Sequence, residues 1–202
     1  MGRIKVVGIS GNVKTPSRTS ALVASILHAI DKRIDVSMRH IDLVEAAPVI
    51  FRPLRADRLD ADGRDIIRAV EEADILVVGS PVYRASYTGA LKHLFDLVHF
   101  ESLAGKPVIL AATGGSLLHG LMIDHQLRPL FGFFKALSLP IGVYAVESDF
   151  DGYNVSNAEI QARIESAADQ LLTTLNIDLA AGRVPHPAAS GLGSTARRGE
   201  AA

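Results

Sequence analysis

Cysteine is absent from the 202 residues. Disulfides, thiolate metal sites and cysteine nucleophiles are excluded with it, and its lack fits a reducing compartment. An excess of charge of one sign is missing too. Lys and Arg number 21 against 22 Asp and Glu, a formal net charge of −1. Bulk electrostatic attraction to nucleic acid or to an anionic membrane has no basis in that balance. No apolar run is long and clean enough to span a bilayer. The chain enters a strand pattern at its start, with no basic, apolar, small-residue leader ahead of it. The expectation is a soluble, cytoplasmic protein that partners neither nucleic acid nor membrane. Metal chemistry has little support: the seven histidines contain no i,i+4 pair and no H-E-x-x-H. Asp57, Asp60, Asp62 and Asp65 lack EF-hand spacing and read as a solvated helix start.

What is present is apolar and periodic. Hydrophobic residues make up 48% of the chain, enough for one α/β domain with a sizeable core. Residues 4–9 (IKVVGI), 74–79 (DILVVG), 107–112 (PVILAA) and 141–146 read as buried strands, and 36–41 as a strand nearer the sheet edge. Helical spacing covers residues 18–30, 61–73, 88–98, 117–136 and 156–175, while 47–59 reads as loop. Five strand–helix alternations demand crossover connections, hence a parallel sheet covered on both faces. The expected architecture is a doubly wound, five-stranded sheet of order 2-1-3-4-5, spanning residues 1–180. Beyond about residue 181 the chain turns to Gly, Ala, Ser, Pro and Arg, a composition too poor in apolar residues to pack and expected to be disordered.

In an open α/β sheet, ligands bind beyond the carboxyl ends of the strands at the switch point. Three loops leave those ends. The first, GISGNVKTPSRTS, offers the hydroxyls of Ser10, Thr15, Ser17, Thr19 and Ser20, the Arg18 guanidinium and the opening amides of a helix. It is rich in hydroxyls and poor in glycine, which suits the three free oxygens of a phosphate monoester better than a pyrophosphate bridge. Taken alone it is equally an N-cap and turn. The second, Ser80-Pro81-Val82-Tyr83, follows a buried strand. Pro81 stiffens the turn, and Tyr83 can shield the edge of a flat ligand or simply sit on the surface. The third, Thr113-Gly114-Gly115-Ser116, lets the backbone come close to a ligand, though a plain strand-to-helix turn has the same look.

Together and in this order the three loops resemble the NADPH-dependent FMN reductase family, of flavodoxin-like fold. The likeness is strongest to the flavin reductase components of two-component alkanesulfonate monooxygenase systems. It rests on Gly8-Ile9-Ser10-Gly11 with Pro16-Ser17-Arg18-Thr19-Ser20, on Ser80-Pro81-Val82-Tyr83 with Tyr87-Thr88-Gly89-Ala90-Leu91-Lys92, and on Ala112-Thr113-Gly114-Gly115. It spans roughly residues 4–175. The resemblance implies FMN, with its phosphate at Ser10, Ser17, Arg18 and Thr19 or Ser20. The isoalloxazine would lie across Pro81, Val82 and Tyr83, with Thr113, Gly114 and Gly115 near its other edge. It further implies hydride transfer from NAD(P)H to flavin N5, with reduced FMN passed to a partner monooxygenase. No protein acid or base is then needed at the transfer itself. The amides of the Thr113–Ser116 loop are candidates to stabilise charge developing on the ring, and Arg84 is a candidate for the nicotinamide nucleotide's phosphates or a plain surface arginine. A tightly FMN-bound quinone, azo or metal reductase is the enzymatic alternative. A flavodoxin-type electron carrier fits less well, since such carriers are acidic and sandwich the flavin between aromatics, whereas this chain is near neutral and has no Trp.

In the same relatives a Tyr in the helix of residues 117–136 makes a π-bulge at a tetramer interface; His125 stands at that position here. Pro129 gives an independent reason for distortion, because it cannot donate to the His125 carbonyl and its ring crowds that group. That helix is apolar almost all round, so its outer face needs cover. A homodimer or dimer of dimers is expected.

Overall fold

The computed structural model describes residues 3–175. Strands β1 (Ile4–Ser10), β2 (Val36–Asp42), β3 (Ile75–Pro81) and β4 (Pro107–Gly114) are joined in parallel, in the order β2-β1-β3-β4, with a fifth lane on the far side of β4. This is the expected 2-1-3-4-5 order. The fifth lane is broken. β5 (Leu137–Ser138) pairs with Pro107–Val108, and β6 (Val143–Val146) pairs with Ala111–Gly114. Between them stands Pro140, which has no N–H for the ladder. The sequence pattern resolves only the second half of this lane, because the first half is two residues long.

Side chains alternate across the sheet and build two cores. Val7, Ile9, Leu76, Val78, Val108 and Leu110 face α2 (Leu43–Ile50), α3 (Ala61–Glu71), α4 (Gly89–Leu97) and α5 (Arg128–Phe133). Val6, Ile75, Val77, Ile109 and Val143 face α1 (Arg18–Asp31) and α6 (Ala158–Thr174). Each of α1, α3, α4 and α6 opens on a capping side chain: Ser17, Asp60, Thr88 and Asn157. These residues accept first-turn N–H groups that lack partners in the helix.

Gly79 sets how closely α1 approaches. A Cβ there would lie 2.5 Å from Val23 Cγ2. The missing side chain lets the first turn of α1 come down on the carboxyl edge of the sheet.

Two elements differ from expectation. Residues 43–50 form α2, although the stretch from 47 reads as loop and Pro48 lies inside the helix. Burial of Leu43, Ala46 and Ile50 at helical spacing against the sheet outweighs the proline. The single helix expected over 117–136 is broken into a 3-10 turn (Leu117–His119), a π-helix (Ile123–Leu127) and α5. The π-turn is closed by Arg128 N–H donating to Ile123 O, an i−5 bond. Pro129 opens α5 immediately after, where its missing N–H does least harm. His125 lies within the π-turn, so the distortion falls where the proline argument puts it. The tail beyond residue 181 and the domain limit at 180 lie outside the described residues.

Candidate active site

Strand register brings the three loops together. Ser10 pairs with Gly79 in the sheet, and Pro81 with Thr113. Chain segments a hundred residues apart therefore end side by side. Short bonds lock them: Gly11 N–H donates to Gly79 O at 2.7 Å, Thr88 Oγ1 donates to Gly11 O at 2.7 Å, and Val82 N–H donates to Thr113 O at 2.8 Å. Thr19 and Thr113 share a hydroxyl hydrogen bond of 2.6 Å, fastening the start of α1 to the end of β4.

A cleft of about 260 Å³ opens over these ends. Nine of the sequence-derived residues line it: Ser17, Arg18, Thr19, Pro81, Val82, Tyr83, Thr113, Gly114 and Gly115. Ser10, Ser20 and Ser116 do not. Ser10 is fully buried and donates its hydroxyl to Asn12 Oδ1 at 2.7 Å, which shapes the first loop from beneath. Ser20 gives its N–H to Ser17 Oγ. Ser116 accepts the Leu118 N–H on its Oγ and the Tyr144 phenol on its carbonyl.

Arg18 is the principal cation of the cleft. Its Nη2 sits 2.6 Å from Glu147 Oε1, and its guanidinium carbon is 5.7 Å from the centre of the Tyr153 ring. Its Nε–H is buried with no acceptor among the described residues. A buried, unsatisfied guanidinium donor is costly, and an anion at this point removes the cost. Around it stand Lys14, the Ser17 hydroxyl and the first-turn amides of α1, at the positive end of that helix. This donor set fits a phosphate monoester.

On the opposite rim, Tyr83 is half exposed. It closes a tight turn with Ser86 through reciprocal backbone bonds of 2.9 and 3.1 Å. The turn residues Arg84 and Ala85 both have positive φ, 51° and 65°, a strained setting for residues with side chains. The third wall is held by Tyr144. Its hydroxyl donates to Ser116 O at 2.6 Å, and burial raises its pKa above the ordinary tyrosine value, so it remains a donor.

Sequence reasoning missed a fourth wall. Val146, Glu147, Phe150 and Tyr153 come from the end of β6, the turn after it and a two-stranded hairpin, β7 (Phe150–Asp151) and β8 (Asn154–Val155). Asp151-Gly152 was the available signal, since Gly152 takes φ +60° at the hairpin tip. Asn12, Lys14 and Pro16 of the first loop were missed as well.

A doubly wound sheet with a cleft of this kind beside its switch point has the architecture of flavodoxin-like mononucleotide-binding proteins. Residues 4–151 match the family described as NADPH-dependent FMN reductase, and the chain belongs to that family of flavin-reducing oxidoreductases. An FMN reductase (NADPH) of Pseudomonas aeruginosa is 45% identical, over 82% of this chain and 89% of the relative. The NADH-dependent FMN reductase SfnF of Pseudomonas fluorescens is 46% identical, over 83% and 89%. Among solved structures, an oxidoreductase from Corynebacterium diphtheriae superimposes with a TM-score of 0.77 at 34% identity, covering 87% of this chain and 98% of that one. No helix among the described residues is long and apolar enough to cross a membrane.

Proposed function

We propose that this chain is a cytoplasmic NAD(P)H-dependent FMN reductase that takes FMN as an exchanging substrate and releases it reduced to a flavin-dependent monooxygenase. FMN, when bound, supplies the ring that accepts a hydride from the nicotinamide. The chain's own part is binding and orientation. Arg18, Ser17 and the α1 amides grip the phosphate. The Pro81–Tyr83 turn, pinned to Thr113 by the Val82 bond, offers a stiff floor for a flat ring. Backbone amides of Thr113–Gly115 stand ready for charge developing on the ring edge. With Tyr83 half exposed on its wall, the cleft is read as leaving room for a nicotinamide and for exit of the product. The enzyme works as a homodimer or dimer of dimers, which covers the apolar segment around residues 117–121.

The observation that carries this reading is the buried, unpartnered Nε of Arg18 at the mouth of α1. Steady-state assays with NADH and NADPH against FMN, FAD and riboflavin test it. Purified protein is expected to be colourless and to oxidise NAD(P)H when FMN is added. Arg18→Ala is expected to weaken FMN binding by about 1.5–3 kcal/mol, the worth of a charged hydrogen bond, and to spare riboflavin. Protein that stays yellow through dialysis and reduces a quinone faster than FMN would instead favour the tightly bound reductase.

A further inference from the structure

Arg18 holds an anion supplied by its own chain, and the two halves of that ion pair are built differently. The Arg18 side chain is about one-third exposed, with its Nε shut away from water; the Glu147 side chain is 75% exposed. The backbone under Glu147 is fixed. Asp149 accepts the Val146 N–H at 2.7 Å and Asn157 Nδ2 at 2.6 Å, and its carbonyl accepts the N–H groups of Ser156 and Asn157 at 2.9 and 3.1 Å. The Glu147 carboxylate can therefore leave Arg18 by rotating its side chain into solvent, with no change in the loop.

Such an exposed pair contributes little to stability, but it bears directly on an incoming anion. A phosphate monoester brings about −1.5 to −2 charges at neutral pH and can engage the guanidinium fork at two nitrogens. To do so it must displace Glu147 and then tolerate a like charge beside it.

We infer that Glu147 is a positioning residue that holds Arg18 ready and competes with the flavin phosphate for it, so that FMN binds less tightly and exchanges faster than the cradle alone would allow. The inference rests on the proposed phosphate cradle. It deepens that reading by naming what keeps FMN a passing substrate. Flavins without a phosphate do not meet this competition.

Titrations following flavin fluorescence, with FMN and with riboflavin, test the idea on the full chain and on Glu147→Gln, Arg18→Ala and the double variant. Glu147→Gln is expected to tighten FMN roughly three- to tenfold, the scale of an exposed charge pair plus like-charge relief. FMN dissociation in stopped flow should slow by a similar factor, with riboflavin affinity unmoved. In the Arg18→Ala background the same change should yield a clearly smaller gain, because the competitor has nothing left to compete for and only its like-charge repulsion is relieved. An FMN affinity that is unchanged or weaker in Glu147→Gln overturns the inference. So does an equal gain for riboflavin, or a full gain without Arg18. If Arg18→Ala leaves FMN affinity untouched, the cradle falls and this inference with it. If Arg18→Ala weakens FMN but Glu147→Gln does not tighten it, only the competitor role falls.

Discussion

Gly114 decides the shape of the third loop by what it lacks. A Cβ at this position would lie 2.1 Å from the Tyr144 hydroxyl and 3.1 Å from its ring carbon Cζ. The phenol cannot simply step aside, because it donates to Ser116 O. Gly114→Ala should therefore cost about 1–3 kcal/mol through overpacking, measured by urea denaturation. Tyr144→Phe alone should cost about 1 kcal/mol for its lost hydrogen bond. In the double variant the clashing oxygen is gone, so the two costs should sum to clearly less than their separate values. Strict additivity would contradict the contact. Gly115→Ala is the control, since a Cβ there meets nothing within 4 Å, and it should be close to neutral. The pair of glycines is visible in the sequence. Which of them is constrained is not, because the constraint comes from a tyrosine thirty residues further on. The hydroxyls of the first loop follow the same logic. Their abundance is legible, but Ser10 serves Asn12, Ser17 caps α1 and Thr19 ties to Thr113, a division only the fold makes.

At the scale of elements, the buried strands were legible because both faces are covered, so each reads as a continuous apolar run. The fourth wall of the cleft was not. Its strands are two residues each, too short for any periodicity, and a buried carboxylate organises them from within. Asp149 is 6% exposed and accepts bonds from the turn before it and from the cap of α6 after it. Asp149→Ala leaves the Val146 N–H and the Asn157 amide without their acceptor, a loss of about 1–3 kcal/mol. The expected result is a lower denaturation midpoint, faster proteolytic cleavage across residues 147–155, and weaker FMN binding as Glu147, Phe150 and Tyr153 lose their fixed places. An unchanged midpoint would mean the hairpin stands without this anchor. α2 was hidden for the opposite reason: its proline is conspicuous, but the outcome depended on burial of Leu43 and Ile50. The distortion at His125 was legible from Pro129, while its exact form, a π-turn ahead of a new helix, depended on where that helix starts.

The molecule as a whole carries apolar surface that its own fold leaves uncovered. Leu117, Leu118 and Leu121 are 76%, 88% and 62% exposed, and Phe133 further along the same connection is 66% exposed. We propose that this exposed apolar surface is covered by a partner. A formal net charge of −1 offers little repulsion between copies of the chain, so self-association is the simplest cover. The segment also lies near the cleft, beginning two residues after Gly115 in the chain, and a neighbouring copy seated there would stand close to the proposed flavin site. Sedimentation velocity should show a homo-oligomer. Leu118→Glu combined with Leu121→Glu should dissociate it into folded monomers, because both side chains point away from the two cores and a charge on each is costly only in an interface. Unchanged circular dichroism with a halved or quartered mass is the expected result. A wild-type chain that sediments as a monomer at every concentration defeats the argument. A double variant that remains assembled would show that the interface lies elsewhere than Leu118 and Leu121.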